Sequence, residues 1–552
     1  MVNELLGNRK YFKLLFIVYV FTNTLALGYF GITFNPLCIL VGIYGLVILL
    51  YGLLKGEIFY SKNHLLVILL YGCLLAIATF LNKTYSSINS YVITSMQLLI
   101  FVLLFAQPKS MSLKQLKKEL RLIISMTSLL VGMASLISLF MYFGNISGQQ
   151  NGWYIGLVGN RLFGVYFNCN PASFLAVIVI ILSFIAIKSH YPMKMLYYVN
   201  ICIQFMYVIL TQCRASVIIL AVIMTAILYY HFFRSHEMSS LKRLSISFVI
   251  CISVLFGSVI VNKVAFIIPQ LQGAVIKEES RFQFDKIHEV ITLTLSGELQ
   301  NIPKIVKIVD EVSSGRITLA RESIDIFRSS PINGIGAGNY RDMLVSITNN
   351  PSLGQQILHT HNVFMETLVT AGIFGFLLFF IFFIKTLFTT RDIFIKYRNK
   401  KSYLMILLFV MVYVSEFIGG FFDFGVFYVY SLSASLAWIF LGYIYWLNDQ
   451  PDFSLIDDTS VATFNKYQLI SIKYHKEIID TIKPEFSILD IRKEDDYILT
   501  VEYYLGRSSF VYDLYYSLYL QESDELNNEL AREFYSLVKD DIEKIYSQSQ
   551  IQ

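Results

Sequence analysis

Residues 122–143 read LIISMTSLLVGMASLISLFMYF, an apolar run without a charged side chain. A helix needs about 20 apolar residues to cross the hydrocarbon core of a bilayer, so this run predicts a transmembrane helix. Comparable runs recur at 172–187, 216–233 and 363–384, which is too many for the core of one soluble domain. Only 15% of the residues are charged, against about a quarter in a typical soluble domain.

Over the whole chain, hydropathy predicts an all-α polytopic membrane protein with about 12 transmembrane helices. The predicted limits are 12–31, 35–54, 64–82, 91–107, 121–143, 171–188, 195–212, 215–233, 244–261, 362–385, 403–422 and 426–447.

The net charge of +5 comes mainly from basic residues that flank the spans, so it indicates orientation and not a nucleic-acid partner. Loops 108–120, 234–243 and 386–402 are rich in Lys and Arg, which predicts that they are cytoplasmic. Segment 262–361 then faces outward, and both termini lie inside. Basic residues before the first apolar run favour a retained first span over a cleaved signal peptide. We therefore expect a multi-pass protein of the plasma or inner membrane.

Four regions follow from this topology. Residues 1–261 hold spans one to nine, 262–361 form a helical extracytoplasmic loop, 362–447 hold spans ten to twelve, and 448–552 form a cytoplasmic tail. Aromatic, β-prone stretches at 497–504 and 509–520 and a helical pattern over 524–546 predict a small α+β tail. Packing and partner docking are both open as its task.

The outward loop contains the segment Ser314-Gly315-Arg316. Apolar residues at helical spacing, Ile317, Ala320, Ile324 and Phe327, predict an amphipathic helix over 315–329, capped by Ser313 or Ser314 and ended by Pro331 and Gly334. A cation in the first turn opposes the helix dipole unless an anion is bound. The free N–H groups and the Arg316 guanidinium could cradle a diphosphate. The alternative is that Arg316 faces water or pairs with a local carboxylate.

Two histidines, His359 and His361, stand just before an apolar run. The His-x-His spacing can ligate a metal, but the sequence offers no third ligand at a suitable spacing. A general base is an equally physical use, because imidazole titrates near neutrality. For His359, an ordinary interfacial histidine is the favoured interpretation. For His361, that interpretation and the general base are equally favoured.

Other polar groups lie near the predicted outer ends of spans. Arg214 lies between two apolar segments, where a charge indicates function. Arg161 is a second candidate, with an exposed loop arginine as its simpler interpretation. Glu416 lies inside a span and could pair with Arg214. The Gly-rich stretch 333–339 lacks the Lys-Ser/Thr pair of a phosphate loop, so a tight turn that allows close backbone packing is favoured.

Taken in order, these segments resemble the O-antigen ligase and Wzy-type polysaccharide polymerase family of membrane glycosyltransferases. The resemblance covers roughly residues 150–385 and leaves the tail outside. The segments are RLFG at 161–164, NP at 170–171, TQCRA at 211–215, SGRI at 314–317, PINGIGAGNY at 331–340, HNVFME at 361–366 and AGIFG at 371–375. One departure is Gln212-Cys213, where a small pair such as Gly-Ser is commoner in the family.

The resemblance implies a GT-C-like membrane fold that acts on a polyprenyl-diphosphate-linked oligosaccharide at the outer leaflet. It implies that Arg214 and Arg316 hold the diphosphate and that His361 serves the acceptor. The further residues expected to bind substrate are Arg161, Asn339, Tyr340, His359 and Glu416. Because the donor is already activated, we expect no cofactor and no metal, in agreement with the lack of a phosphate loop or of an outward Asp-x-Asp pair.

The expected partners are the bilayer, the lipid-linked glycan and other capsule-assembly proteins. A composition rich in Phe, Tyr, Ile and Lys suggests a low-GC genome, which favours a capsule or exopolysaccharide polymerase over a ligase that uses lipid A. A non-enzymatic glycan exporter is a rival, but it should place ionisable groups near the bilayer midplane. A second rival is a scaffold that acts through its tail. Removal of 448–552 would distinguish the two, because a scaffold should then fail and an enzyme should keep activity.

Overall fold

The computed structural model describes 9–32, 35–55, 62–108, 111–159, 161–233, 284–295, 302–313, 315–348, 359–398, 402–423, 425–450, 487–494, 498–505 and 508–515, with isolated residues between 242 and 267. The chain forms two compact units, 1–456 and 457–552.

The first unit is mostly helical. Its helices are α1 (Arg9–Thr24), α2 (Leu37–Leu54), α3 (Lys62–Leu81), α4 (Ile88–Leu99, continued by a π-helix, Ile100–Phe105), α5 (Leu113–Phe143), α6 (Cys169–Lys188), α7 (Lys194–Leu210), α8 (Arg214–Phe233), α9 (Phe284–Leu295), α10 (Ile302–Val312), α11 (Arg316–Ser329), α12 (Tyr340–Thr348), α13 (Val363–Tyr397), α14 (Tyr403–Gly420) and α15 (Leu432–Asp449).

Seven helices of the described residues are long and apolar enough to cross a membrane. They are α2 to α6, α13 and α14, and the shorter apolar helices α7 and α8 accompany them. The all-α polytopic membrane class is therefore confirmed. The count of about 12 stays a prediction, partly because the expected span 244–261 falls where the structure describes only isolated residues.

A small antiparallel sheet occupies the segment between α5 and α6, where the sequence indicated only a connection between two predicted spans. Its strands are β1 (Ser147–Gln150), β2 (Trp153–Val158) and β3 (Arg161–Gly164), in that order. The sheet is anchored on α5, because the Ser138 hydroxyl accepts a hydrogen bond from the Val165 N–H at 3.1 Å. Because β3 begins at Arg161, the sheet fixes the backbone position of that residue.

The predicted tight turn at 333–339 packs its backbone against a break in α13. At the break, Gly372 has φ 66° and ψ −172°, a conformation essentially restricted to glycine. Three backbone hydrogen bonds of 2.9–3.0 Å satisfy the groups around the break: Ile335 N–H to Val369 O, Gly336 N–H to Thr370 O, and Ile373 N–H to Pro331 O. The segment 331–336 is therefore locked to the first part of α13.

Substitution Gly372→Ala should strongly impair folding, because its Cβ would lie 2.2 Å from the Ile332 carbonyl oxygen and its φ would be strained. We expect a loss of several kcal/mol, measured as yield and thermal stability of detergent-solubilised protein. Gly52→Ala is the matched control, since a Cβ there meets nothing within 4 Å. Equal stability of the two variants would contradict this account of the break.

A buried polar network holds the other end of the bundle together. The Lys13 ammonium donates to Glu119 Oε1 at 2.5 Å and to Gln107 Oε1 at 2.8 Å. The Tyr443 hydroxyl donates to the same Glu119 oxygen. The charged pair is thus hydrogen-bonded as burial requires, and it joins α1, α5 and α15.

The second unit contains an antiparallel sheet, with strands β4 (Ser487–Glu494), β5 (Ile498–Leu505) and β6 (Ser508–Tyr515) in that order. The strands β5 and β6 overlap the predicted stretches 497–504 and 509–520. The predicted helix 524–546 lies outside the described residues, so the α+β nature of this tail stays a prediction.

Candidate functional site

Two imidazoles and one carboxylate meet at one end of the helical bundle. Asp423 Oδ1 lies 3.2 Å from His361 Nδ1 and 3.6 Å from His359 Nε2. The two imidazole rings are themselves 4.2 Å apart between centroids. Asp423 follows the end of α14, whereas the histidines precede α13, so tertiary packing alone brings the carboxylate to them. We call His359, His361 and Asp423 the His–Asp cluster.

The turn that carries the histidines is held by local hydrogen bonds. Asn362 caps α13, because its Oδ1 accepts the N–H groups of Phe364 and Met365 at 3.0 and 3.1 Å. Glu366, one turn into the helix, accepts the Thr360 N–H at 2.9 Å. His361 itself has φ 52°, an uncommon value for a residue with a Cβ. These contacts orient the His361 ring towards Asp423.

The two histidines differ in exposure. The side chain of His359 is 16% exposed and that of His361 is 35% exposed. Burial lowers the pKa of His359 to about 4, although Asp423 opposes this effect. His359 is therefore neutral near pH 7, and the more accessible His361 is the imidazole that can meet a substrate.

Arg316 lies beside this cluster. Its guanidinium stands 5.6 Å from the ring centroid of Phe422, the neighbour of Asp423. Burial lowers the pKa of Arg316 from its usual value, Asp423 opposes that effect and the charge of Arg214 adds to it. Within the described residues, Arg316 forms no ion pair at 4 Å or less. Because Arg316 is a half-buried cation beside another cation, a bound anion would stabilise its charge.

The other predicted arginines extend this positive region. Arg214, the first residue of α8, donates from Nη1 to the Val312 carbonyl at 2.8 Å, which joins α8 to the end of α10. Arg161 donates from Nε to the Thr211 carbonyl at 2.9 Å and from Nη2 to the Asn170 amide oxygen. The charges of Arg161 and Arg214 also interact. The structure therefore brings Arg161, Arg214, Arg316, His359 and His361 to one region, with Arg161 bonded to the Thr211 backbone and to the Asn170 side chain.

The start of α11 differs from the sequence prediction. The N-cap is Gly315, with φ 79°, and neither Ser313 nor Ser314 was the correct choice. Asp310, on α10, accepts the Ile317 and Thr318 N–H groups at 2.8 and 3.1 Å. A carboxylate from the preceding helix thus takes the N–H groups that we expected to hold a diphosphate. The expected diphosphate cradle is therefore reduced to the guanidinium groups, without the N–H groups of the helix N-terminus.

Substitution Asp310→Ala should fray the start of α11 and displace Arg316. Loss of a helix cap typically costs about 0.5–2 kcal/mol. Burial raises the pKa of Asp310, but hydrogen bonds from Thr318 and Ile317 outweigh it, so the net pKa lies below its usual value. The stabilisation is therefore present above the unfolded-state pKa and is lost as the pH falls through the lower folded-state value. Hydrogen exchange at Ile317 and Thr318 measures it; unchanged protection in the variant would contradict the capping role.

The helix α11 itself is confirmed, but its buried face is not the expected one. Ile324 is 41% exposed, whereas Leu319, Ser323 and Ile326 are buried. Ser323 lies 2.8 Å from the Tyr340 hydroxyl, which anchors the helix on α12. The packing partner, and not the apolar count alone, sets which face is buried.

Three further predicted substrate ligands are buried and bonded within the protein. Asn339 is fully buried, and its amide joins Ser86, Ser90 and the Ile335 carbonyl at 2.7–2.8 Å. Tyr340 is 1% exposed and bonded to Ser323. These contacts favour a structural role for both. Glu416 accepts a hydrogen bond from Ser433 at 3.1 Å, and the described residues contain no ion pair between Glu416 and Arg214.

Two residues of the site were not assigned a role from the sequence. Asp423 stands alone as an acidic residue in the aromatic run Phe421-Phe422-Asp423-Phe424 at the end of a span, and that isolation was the available signal. Glu366 ends the segment HNVFME, but its role as acceptor for the Thr360 N–H depends on a turn that the sequence does not specify.

Together, the fold and the site define a multi-pass helical membrane protein with a cluster of arginine, histidine and aspartate at one end of the bundle. Residues 199–380 match the family model described as O-antigen ligase, and this match confirms the family resemblance over about a third of the chain. Arg214, Arg316 and His361 lie inside the matched segment, whereas Arg161 and Asp423 lie outside it. No curated protein matches the chain.

Proposed function

We propose that this protein is a membrane glycosyltransferase that polymerises polyprenyl-diphosphate-linked oligosaccharide repeat units into capsular polysaccharide or exopolysaccharide on the outer leaflet. The observation that carries the proposal is the position of the Arg316 guanidinium beside both Arg214 and the Asp423–His361 pair. An anion site next to a candidate base matches a reaction in which a diphosphate leaves and a hydroxyl attacks. The match to the O-antigen ligase family supports the same chemistry.

In the proposed donor site, Arg214 and Arg316 bind the diphosphate of the lipid-linked donor. Guanidinium groups suit this ligand, because their donors pair with phosphate oxygens in a bidentate manner. Negative charge grows on the bridging oxygen as the anomeric carbon–oxygen bond breaks. The arginines stabilise that charge in the transition state, which is where such contacts accelerate a reaction.

In the proposed acceptor site, His361 serves as the general base. With Asp423 accepting the Nδ1–H, the Nε2 lone pair of His361 is available to the acceptor hydroxyl. Nε2 takes the proton as the hydroxyl oxygen bonds to the anomeric carbon, and the polyprenyl diphosphate leaves with the electron pair of the broken bond. One direct displacement inverts the anomeric carbon. The charges in this scheme come from side chains, so we propose that transfer is independent of metal.

The rival functions fit the site less well. An exporter is expected to place its ionisable groups near the bilayer midplane, at broken helices. Here Arg161 and Arg214 lie where α6 and α8 begin, and the His–Asp cluster lies where α13 begins and α14 ends. The proposed topology puts that end outside, with about 12 spans and both termini cytoplasmic. A ligase would use the same donor site with another acceptor, and it is the second candidate that the family match supports.

Purified protein in liposomes with a synthetic lipid-linked repeat unit tests these alternatives. A ladder of products on a gel is expected for a polymerase. A single transfer to an added lipid acceptor indicates a ligase, and lipid-linked substrate that moves between leaflets without a new glycosidic bond indicates an exporter. A variant that lacks 448–552 should retain chain growth, whereas a scaffold should lose its function.

A further inference from the structure

We propose that His359, His361 and Asp423 also form a binding site for a divalent transition-metal ion of the zinc type, and that the bound ion inhibits the enzyme. The sequence offered the His-x-His pair without a third ligand, and the fold supplies it as Asp423. The binding site stands on geometry alone, whereas its inhibitory effect rests on the proposed function.

The distances in the His–Asp cluster match those between the ligands of one ion. One nitrogen from each histidine and one Asp423 oxygen all lie within 4.8 Å of one another. In a tetrahedral zinc site with bonds of about 2.0–2.1 Å, adjacent ligand atoms are roughly 3.3 Å apart. The 3.2 Å and 3.6 Å separations in the cluster lie on either side of that value. The longer one exceeds a normal hydrogen-bond length, and a shift of His359 Nε2 by roughly 0.3 Å would bring it to the tetrahedral value. The two histidine nitrogens, which lie within 4.8 Å of each other, would approach the same separation.

The ligand types select the class of metal. Imidazole suits zinc, cobalt, nickel and copper, whereas magnesium and calcium prefer oxygen ligands throughout. Three protein ligands also leave the fourth tetrahedral position open to water. We therefore expect an open site for a borderline transition metal.

Neighbouring groups lower this affinity. The charge of Arg316 disfavours a cation at Asp423. Binding through His359 Nε2 moves its proton to Nδ1 and sacrifices the 3.3 Å hydrogen bond from the His361 N–H. The site should therefore bind more weakly than a closed structural zinc site.

Metal binding would change the tautomer of His361. In the proposed reaction, Nδ1 carries the proton and Nε2 accepts one from the acceptor hydroxyl. An ion on Nδ1 needs the lone pair of that atom, so the proton of the neutral ring must lie on Nε2. Nε2 then has no lone pair for the incoming proton. The ion thus blocks the base without removing any residue from the site.

Titration of the full-length protein in detergent with Co²⁺ tests the site independently of activity. Tetrahedral Co²⁺ gives visible absorption bands, and we expect one equivalent that Zn²⁺ displaces. His359→Gln should weaken binding at least about 100-fold. Loss of a residue that only hydrogen-bonds to a metal ligand costs about 10–100-fold, and loss of a ligand itself should cost more. His288→Gln, on the exposed surface of α9, is the matched control and should bind normally. If His359→Gln does not fold, Asp423→Asn provides the same comparison.

Chain growth in liposomes gives the second measurement. Zn²⁺ should inhibit growth, a chelator should restore it, and the chelator alone should not reduce it. Absence of the Co²⁺ bands, or an affinity that both ligand variants leave unchanged, overturns the site. Activity that requires metal, or that Zn²⁺ leaves unchanged, overturns the inhibition. Co²⁺ binding in a protein without transferase activity would instead count against the proposed function alone.

Discussion

Replacement of Arg316 by alanine should reduce chain growth roughly 10²–10³-fold while membrane levels and thermal stability stay near normal. The guanidinium is half-buried beside Asp423 and Arg214, so its charge acts where solvent screening is weak. Its contribution should be largest in the transition state, when charge develops on the departing diphosphate. Initial rates with a purified lipid-linked repeat unit measure the effect, which should fall mainly on kcat and not on KM alone.

Two further variants make the Arg316 experiment specific. Arg316→Lys keeps the charge but loses the planar donor pair, so it should restore only part of the activity. Arg328→Ala is the matched control, because Arg328 lies on the same helix, is exposed and pairs with Asp325 at 3.0 Å. If both variants keep full activity, Arg316 does not serve the diphosphate. If both lose activity equally, the substitutions have a general effect on α11.

The fold class was predictable because long apolar runs have few alternatives to membrane helices. Boundaries of α6, α7 and α8 lie within a few residues of the predicted limits. The sheet β1–β3 was missed, since its strands are only four to six residues long and show no clear alternation of apolar and polar residues. The face of α11 was also wrong at Ile324, because a helix outside the bilayer buries whatever its neighbour covers, here Ser323 against Tyr340.

The candidate site was partly predictable for a similar reason. Arg214, Arg316 and His361 are costly at the edge of a membrane, so their presence alone suggested a task. Their partners were not predictable, since Asp423 lies 62 residues beyond His361 and meets it only through packing of α13 and α14. The carboxylate of Asp310 likewise reaches α11 from the preceding helix. Sequence spacing identified the charged groups, and tertiary structure decides what each of them faces.

His361→Ala should lower chain growth by roughly 10²–10⁴-fold, the usual contribution of a well-placed general base. Asp423→Asn should give a loss of similar order for a different reason. The asparagine amide can donate to His361 Nδ1, and this favours the tautomer with the proton on Nε2, where it blocks proton transfer. Both variants should keep the binding of the donor, which depends on the arginines.

The double variant separates one catalytic unit from two independent contributions. If Asp423 acts only through His361, the variant with both Asp423→Asn and His361→Ala should be about as slow as His361→Ala alone, because residues that act as a unit are strongly non-additive. Asp342→Asn, at an exposed position in the first turn of α12, is the control for loss of an acidic charge. Additive losses, or an active Asp423→Asn enzyme, would show that the carboxylate does not orient the base. In that case the His361 imidazole would keep its tautomer without a partner, and the substitution would not change its reactivity.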